Sequence, residues 1–194
     1  MRKKYIIGED RDNQFIYAGR LDRTKGIDRL LEAWKLFSNT GESIPKLIIC
    51  GTGPEEQMCK EYIYKNNLQE NVKVLGFIEN SKVVRMMSKS LALILPTQLY
   101  EGFPMTVVEA FGYGTPVLGS SIGNVGSLVL NGTTGYTFNQ KSPESILEAV
   151  KKLLVSQEMG IDLYKSTFEF YESNYTAEKN YKTLSNIYKC TVDI

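Results

Sequence analysis

With 194 residues, 42% of them hydrophobic and 23% charged, the chain is long enough for one domain with its own core and has the balance of a soluble globular protein. The 23 basic and 22 acidic residues leave a net charge of +1, so nothing argues for a nucleic-acid or strongly acidic partner, and no nucleic-acid partner is expected. Histidine is absent, so Ser-His-Asp and Cys-His catalysis and most zinc sites are excluded within this chain.

Residues 1–13 are polar and irregular and read as a linker, with the domain proper over 14–194. Met1 to Ile7 is basic then apolar, but Gly8-Glu9-Asp10 stops the run too early for a signal peptide. No apolar run approaches the length needed to span a bilayer. Asp10-Arg11-Asp12 has the form of an Asp-x-Asp metal motif, but it precedes the first strand, whereas such a motif needs the far end of one. Phe15 to Ala18 is the first strand, and Gly19 to Gly26 is a loop. Ile27, Leu30, Leu31, Trp34 and Phe37 then fall at helical spacing and form a core stripe. Arg20 and Lys25 therefore sit in a strand-to-helix loop, where an open α/β sheet places its ligand contacts. Two cations there suit a diphosphate, one as a planar fork and one as a point charge. A solvated loop is the plain alternative, with Arg23 an equal candidate.

Lys46 to Cys50 is the second strand, followed by Gly51-Thr52-Gly53-Pro54. The third glycine of a dinucleotide fingerprint is lacking, so this reads as a tight turn with Pro54 opening a helix that runs to about Asn66. Val72 to Leu75 is the third strand, ended by Gly76-Phe77-Ile78, with Ser81 expected to cap the next short helix. Leu91 to Leu95, stopped by Pro96, reads as a buried strand. Glu101-Gly102-Phe103-Pro104 follows as a tight loop, and Met105 to Phe111 has helical composition ended by Gly112 and Gly114. The loop brings the free N–H groups of a helix start to the carboxyl end of a strand, which suits phosphate. Glu101 and Glu109 bracket it. An ionised carboxylate only accepts hydrogen bonds, so a sugar diol is its natural partner there. Ordinary solvated charge is the plain alternative for each.

Pro116 to Gly119 is a short strand, Ser120 to Gly126 a small-residue loop, Asn131 to Gly135 a turn, and Tyr136 to Phe138 the last strand. Ser142 is expected to cap a helix carrying Ile146, Val150, Leu153 and Leu154. Tyr164, Phe168, Tyr171 and Tyr175, then Tyr181, Leu184 and Tyr188, mark an amphipathic helix pair. Cys50, Cys59 and Cys190 are odd in number and far apart, which suits reduced thiols buried as small hydrophobes. Strands alternate with helices throughout, so the fold class is α/β, a doubly wound parallel sheet.

Glu-x7-Glu enclosing Gly-Phe-Pro, at Glu101 to Glu109, resembles the donor-binding domain of retaining GT-B glycosyltransferases, the large glycosyltransferase group 1 family. Gly19-Arg20-Leu21 with Lys25-Gly26, Gly51-x-Gly53-Pro54 and Gly76-Phe77-Ile78 occur in that family's order, and the likeness covers residues 14 to about 190. It departs where the family usually has Pro-Glu and this chain has Gly126-Ser127.

The resemblance implies a Rossmann-like, C-terminal half of a GT-B fold and transfer of a hexose, with retention, from a nucleotide diphosphate sugar to an acceptor hydroxyl in glycan or polysaccharide biosynthesis. Arg20 and Lys25 would stabilise the leaving diphosphate, and Glu101 would hold hydroxyls of the transferred sugar. These three are the residues given a part in catalysis. Gly19, Gly51, Phe77, Ile78, Gly102, Phe103, Met105, Thr106 and Glu109 complete the implied donor contacts, with main-chain groups at Phe77 and Ile78 facing the base and Glu109 the ribose. No metal or other cofactor is implied, because the leaving phosphate is thought to assist deprotonation of the acceptor. The acceptor-binding domain that normally precedes this one is missing, so the chain is expected to be an incomplete half. A cytoplasmic location and peripheral membrane contact through that missing half are further expectations. A non-catalytic nucleotide-sugar-binding module, or a subunit borrowing its acceptor domain from a partner chain, is the alternative. An epimerase of the same fold would need an acid and a base across the cleft, and this half offers neither.

Overall fold

The computed structural model describes residues 11–192. Six strands form one sheet in the order β3-β2-β1-β4-β5-β6, and every neighbouring pair is parallel. The strands are β1 (Asp12–Ala18), β2 (Lys46–Cys50), β3 (Val72–Gly76), β4 (Ser90–Leu95), β5 (Val117–Ser120) and β6 (Gly135–Phe138). Each falls within a few residues of an apolar run legible in the sequence. β1 starts at Asp12, so the strand takes in the last two residues expected to be linker. Residues 1–10 lie outside the described residues.

Parallel strands need crossover connections, and helices provide them on both faces. These are α1 (Ile27–Ser38), α2 (Glu56–Lys65), α3 (Asn80–Lys89), α4 (Met105–Phe111), α5 (Gly123–Leu128) and α6 (Pro143–Glu158), followed by α7 (Leu163–Asn174) and α8 (Ala177–Val192). Strand side chains alternate between the faces, so both faces of the central strands are apolar. Phe15, Tyr17, Leu47, Ile49 and Ile94 point toward Trp34 and Phe37 of α1 and Leu153 of α6. Ile16, Ile48 and Leu93 point toward Met87 of α3 and Val107 and Phe111 of α4. Trp34 meets Phe15 edge-on at 5.7 Å, and its indole N–H donates to the Pro45 carbonyl at 3.1 Å. The large ring is thus buried without an orphaned donor.

Several local expectations need correction. Glu79, not Ser81, precedes the first turn of α3, and the Ser81 hydroxyl donates to the Glu79 carboxylate at 2.6 Å. α2 begins at Glu56, two residues beyond Pro54. The stretch read as a small-residue loop holds α5. The aromatic stripe of α7 is rotated: Leu163 and Thr167 are its buried residues, and Phe170 packs edge-on against Phe111 at 5.9 Å. Tyr171 and Tyr175 do pack against that same core, whereas Tyr164 and Phe168 are only half-buried. Ser142 does cap α6, accepting from the Ser145 N–H at 3.2 Å. On α8, Tyr181 and Tyr188 are 75% and 68% exposed, so the spacing there does not mark a buried core stripe. No helix among the described residues is long and apolar enough to cross a membrane.

Candidate functional site

The strand order reverses between β1 and β4, so the loops leaving these two strands diverge and open a crevice at the carboxyl edge of the sheet. Four loops converge there, after β1, β2, β3 and β4. Main-chain hydrogen bonds tie the first three together. Gly19 N–H donates to Cys50 O at 3.0 Å, Leu21 N–H to Thr52 O at 2.9 Å, and Gly51 N–H to Gly76 O at 2.8 Å. The approach is close enough to require glycine. A Cβ on Gly51, whose φ is +143°, would lie 1.8 Å from the Gly19 carbonyl oxygen. A Cβ on Gly53 would lie 2.1 Å from that of Leu21. The Gly-x-Gly turn therefore keeps two loop backbones in contact.

Two adjoining cavities occupy the crevice. The larger, of about 600 Å³, is lined by Gly51, Gly53, Phe77, Ile78 and Glu109 among others. The smaller, of about 180 Å³, is lined by Tyr17, Lys25, Thr97, Glu101 and Pro104 among others. Ala18, Gly19, Arg20 and Thr106 line both. The cavities thus meet at Arg20 and at the first turn of α4. Glu101 and Glu109, eight positions apart in sequence, open onto different cavities. Arg23 lines neither and reaches Glu55 instead, at 3.9 Å. Phe77 is 82% exposed, so its ring belongs to the cavity wall and not to the core. Gly102, Phe103 and Met105 are exposed beside the smaller cavity without lining it.

Arg20 and Lys25 arrive by different routes. Arg20 is mostly exposed and lies 3.8 Å from Asp22. Lys25 ends a 3₁₀ turn over Arg23–Lys25, which Asp22 caps by accepting from the Thr24 N–H at 2.9 Å. Gly26 follows at φ +70°. A Cβ there would strike the Pro96 carbonyl oxygen at 1.9 Å, so glycine holds the β1 loop against the β4 loop. That contact delivers Lys25 Nζ to Glu101 Oε1 at 2.6 Å. Thr97 Oγ1 donates to the same oxygen at 2.8 Å. Burial opposes ionisation of Glu101, but the hydrogen bonds from Lys25 and Thr97 and the Lys25 charge outweigh it, and the carboxyl is held below its ordinary range.

The β4–α4 loop is fixed from three sides by residues that sequence reasoning missed. Gln98 N–H donates to Thr24 O at 2.8 Å, and its side-chain amide to Gln140 O at 2.7 Å. Asn124, at the start of α5, donates to Glu101 O at 3.1 Å and to Gly102 O. Only the habit of Asn to satisfy main-chain carbonyls could have flagged it, and the distance in sequence hides the partner. No side chain caps the start of α4, so the first N–H groups of the helix have no side-chain partner, and Thr106 in that turn lines both cavities.

Cys50 also lines the larger cavity. Burial pushes its thiol up to about 11 and, together with nearby carboxylates, pushes that of Cys59 up to about 12, so both behave as small apolar side chains. Among the described residues no group of three or more Cys, Asp or Glu side chains is placed to share a metal ion.

Known proteins resemble this chain in sequence and in fold. An uncharacterised glycosyltransferase of Methanocaldococcus jannaschii is 26% identical over 99% of this chain and 48% of its own length. The amylovoran biosynthesis glycosyltransferase AmsD of Erwinia amylovora is 29% identical over 77% of this chain and 40% of its own. The chain therefore spans about half the length of the curated relatives it matches or less. Among solved structures, a mutant of S. aureus TarM in complex with fondaparinux, alpha-GlcNAc-glycerol and UDP superposes with a TM-score of 0.81. It is 18% identical over 96% of this chain and 37% of its own. Anabaena HepE in complex with UDP gives 0.75 at 19% identity, over 90% of this chain and 49% of its own. At those identities the likeness is one of fold. A family model described as glycosyl transferases group 1 matches residues 2–169, and the chain belongs to that family.

Proposed function

We propose that this chain is the donor-binding half of a retaining glycosyltransferase that moves a hexose from a nucleotide diphosphate sugar to an acceptor hydroxyl in glycan or polysaccharide assembly. The observation that carries the reading is the pair of cavities meeting at Arg20 and the start of α4. A diphosphate bridging them would put a nucleoside in the larger and a sugar in the smaller. In the larger, main-chain groups beside Phe77 and Ile78 meet the base, and Glu109 accepts from the ribose diol. In the smaller, Glu101 accepts from sugar hydroxyls. Arg20, Lys25 and the N–H groups near Phe103, Met105 and Thr106 meet the diphosphate.

In the transfer, the bond from the sugar anomeric carbon to phosphate oxygen breaks and a bond to the acceptor oxygen forms. The acceptor proton passes to the leaving diphosphate. Negative charge grows on that diphosphate, and the two cations with the oriented N–H groups stabilise it. These groups supply the positive charge, so the proposed reaction asks no metal of this half. The acceptor reaches the crevice from a second domain. Leu99, Tyr100 and Phe103 of the β4–α4 loop and Met105 at the start of α4 are exposed apolar side chains near the crevice.

Calorimetry with UDP and UDP-glucose tests the division between the two glutamates. Glu109→Ala is expected to weaken both ligands, by roughly 1.5–3 kcal/mol for a charge-assisted hydrogen bond. Glu101→Ala is expected to weaken UDP-glucose while leaving UDP unchanged or tighter, because its loss frees Lys25 for phosphate. Equal losses for both ligands in both variants would refute the assignment.

A further inference from the structure

Glu101 is held by one oxygen only. Lys25 Nζ and Thr97 Oγ1 both engage Oε1, at 2.6 Å and 2.8 Å. Oε2 takes no protein donor among the described residues, and it is not one of the buried orphaned side-chain atoms, which are Asp28 Oδ1 and Ser120 Oγ. It is therefore open to solvent in a residue that lines the smaller cavity.

The Thr97 hydroxyl has one proton and a choice of acceptors. Thr24 O and Leu99 O each lie at 3.5 Å, the limit of a useful hydrogen bond, whereas Glu101 Oε1 is ionised and much closer. The proton goes to Glu101. Leu99 N–H approaches the same hydroxyl at 3.4 Å, so its acceptor side is used as well. Thr97 is only 3% exposed, so water competes poorly for these bonds. Its backbone follows Pro96, whose carbonyl packs against Gly26 and accepts from Gln98 Nε2 at 3.0 Å. The hydroxyl is thus a fixed donor from a rigid strand end, whereas Lys25 is a point charge on a flexible stem.

We infer that Thr97 is a positioning residue for Glu101: with Lys25 it engages Oε1 and so presents Oε2 as the oxygen that accepts from hydroxyls of the transferred sugar. This rests on the donor role proposed for Glu101 and adds the device that aims it. Thr97 touches neither nucleotide nor phosphate in this arrangement. Its effect is confined to ligands that carry the sugar.

The full chain carrying Thr97→Val, Thr97→Ser or Glu101→Gln separates the possibilities. Valine keeps the shape and removes the hydroxyl, while serine keeps the donor. Binding of UDP and UDP-glucose is read by calorimetry, and the Glu101 carboxyl is titrated by carbon-detected NMR. Thr97→Val is expected to weaken UDP-glucose roughly fivefold, the scale of one net hydrogen bond, and to leave UDP within about twofold. It is also expected to move the Glu101 midpoint upward, since a hydrogen bond to the ionised form is lost. Thr97→Ser restores both readings. A wild-type midpoint and wild-type ligand ratio in Thr97→Val overturn the positioning role. If Glu101→Gln weakens UDP-glucose selectively while Thr97→Val does not, the positioning role alone fails. If Glu101→Gln shows no preference between the ligands, the donor role of Glu101 fails and this inference falls with it.

Discussion

Gly51→Ala is expected to lower stability by roughly 3 kcal/mol and to abolish measurable UDP binding, because the new methyl has nowhere to go. It would stand 1.8 Å from the main-chain oxygen of Gly19, and a backbone atom cannot swing aside as a long side chain can. The φ of +143° adds strain for any L-residue with a Cβ. Relief requires separating the β1 and β2 loops, which breaks the Gly19–Cys50 and Leu21–Thr52 hydrogen bonds and deforms the wall shared by both cavities. Gly102→Ala is the control, since a methyl there would meet nothing within 4 Å and its stability should stay within about 0.5 kcal/mol of wild type. Urea unfolding and calorimetry on both variants check this. Wild-type stability in Gly51→Ala would mean that the loops are not this close.

Arg11→Ala should destabilise the fold by roughly 2–4 kcal/mol while leaving nucleotide affinity alone. Its guanidinium sits at the amino edge of the sheet, opposite the crevice. There it donates to Tyr113 O at 3.1 Å, to Thr115 Oγ1 at 3.0 Å and to Ser88 O. It also lies 4.5 Å from the centre of the Tyr164 ring. One side chain thus serves carbonyls at the trailing ends of α3 and α4 and receives α7. Thr115 is fully buried and donates onward to Met87 O at 3.0 Å, so the network extends inward. Arg11→Lys should rescue little, because a point charge cannot reproduce the planar fork. A lysine variant as stable as wild type in urea would remove the basis for this account.

Arg11 also marks where sequence reasoning stops. Its neighbours Asp10 and Asp12 give the stretch the form of a metal motif, against which its position argues. Nothing local announces that the arginine between them joins parts of the chain about 100 residues apart. The strands are legible because a parallel sheet covered on both faces demands continuous apolar runs, and Leu47-Ile48-Ile49 and Leu91 to Leu95 supply them. The α5 helix is hidden because Gly123 and Gly126 read as breakers. In place, a Cβ on Gly126 would lie 2.6 Å from the Ser121 carbonyl carbon, so close packing explains that glycine. On α7 the aromatic spacing finds Tyr171 and Tyr175, which pack against the core, but misses the fully buried positions. Tyr164 keeps a polar tip, which bonds to Gln157, while Leu163 and Thr167 take the interior. At the site, motif spacing brings Arg20, Lys25, Glu101 and Glu109 to one crevice. It cannot tell that Lys25 and Glu101, 76 residues apart, pair with each other, because tertiary contacts between the two loops, Gly26 against Pro96 and Gln98 N–H to Thr24 O, bring them together.

The strand order carries a consequence for synthesis on the ribosome. β1 lies in the middle of the sheet, yet one of its two neighbours, β4, begins only at Ser90. A nascent polypeptide that has made β1, β2 and β3 holds an open hydrophobic edge on β1. At roughly 5–20 residues per second, about one to four seconds pass before the covering strand is made. Pairings this distant in sequence also slow refolding in vitro. During that interval chaperone capture or association between unfinished chains competes with completion of the sheet.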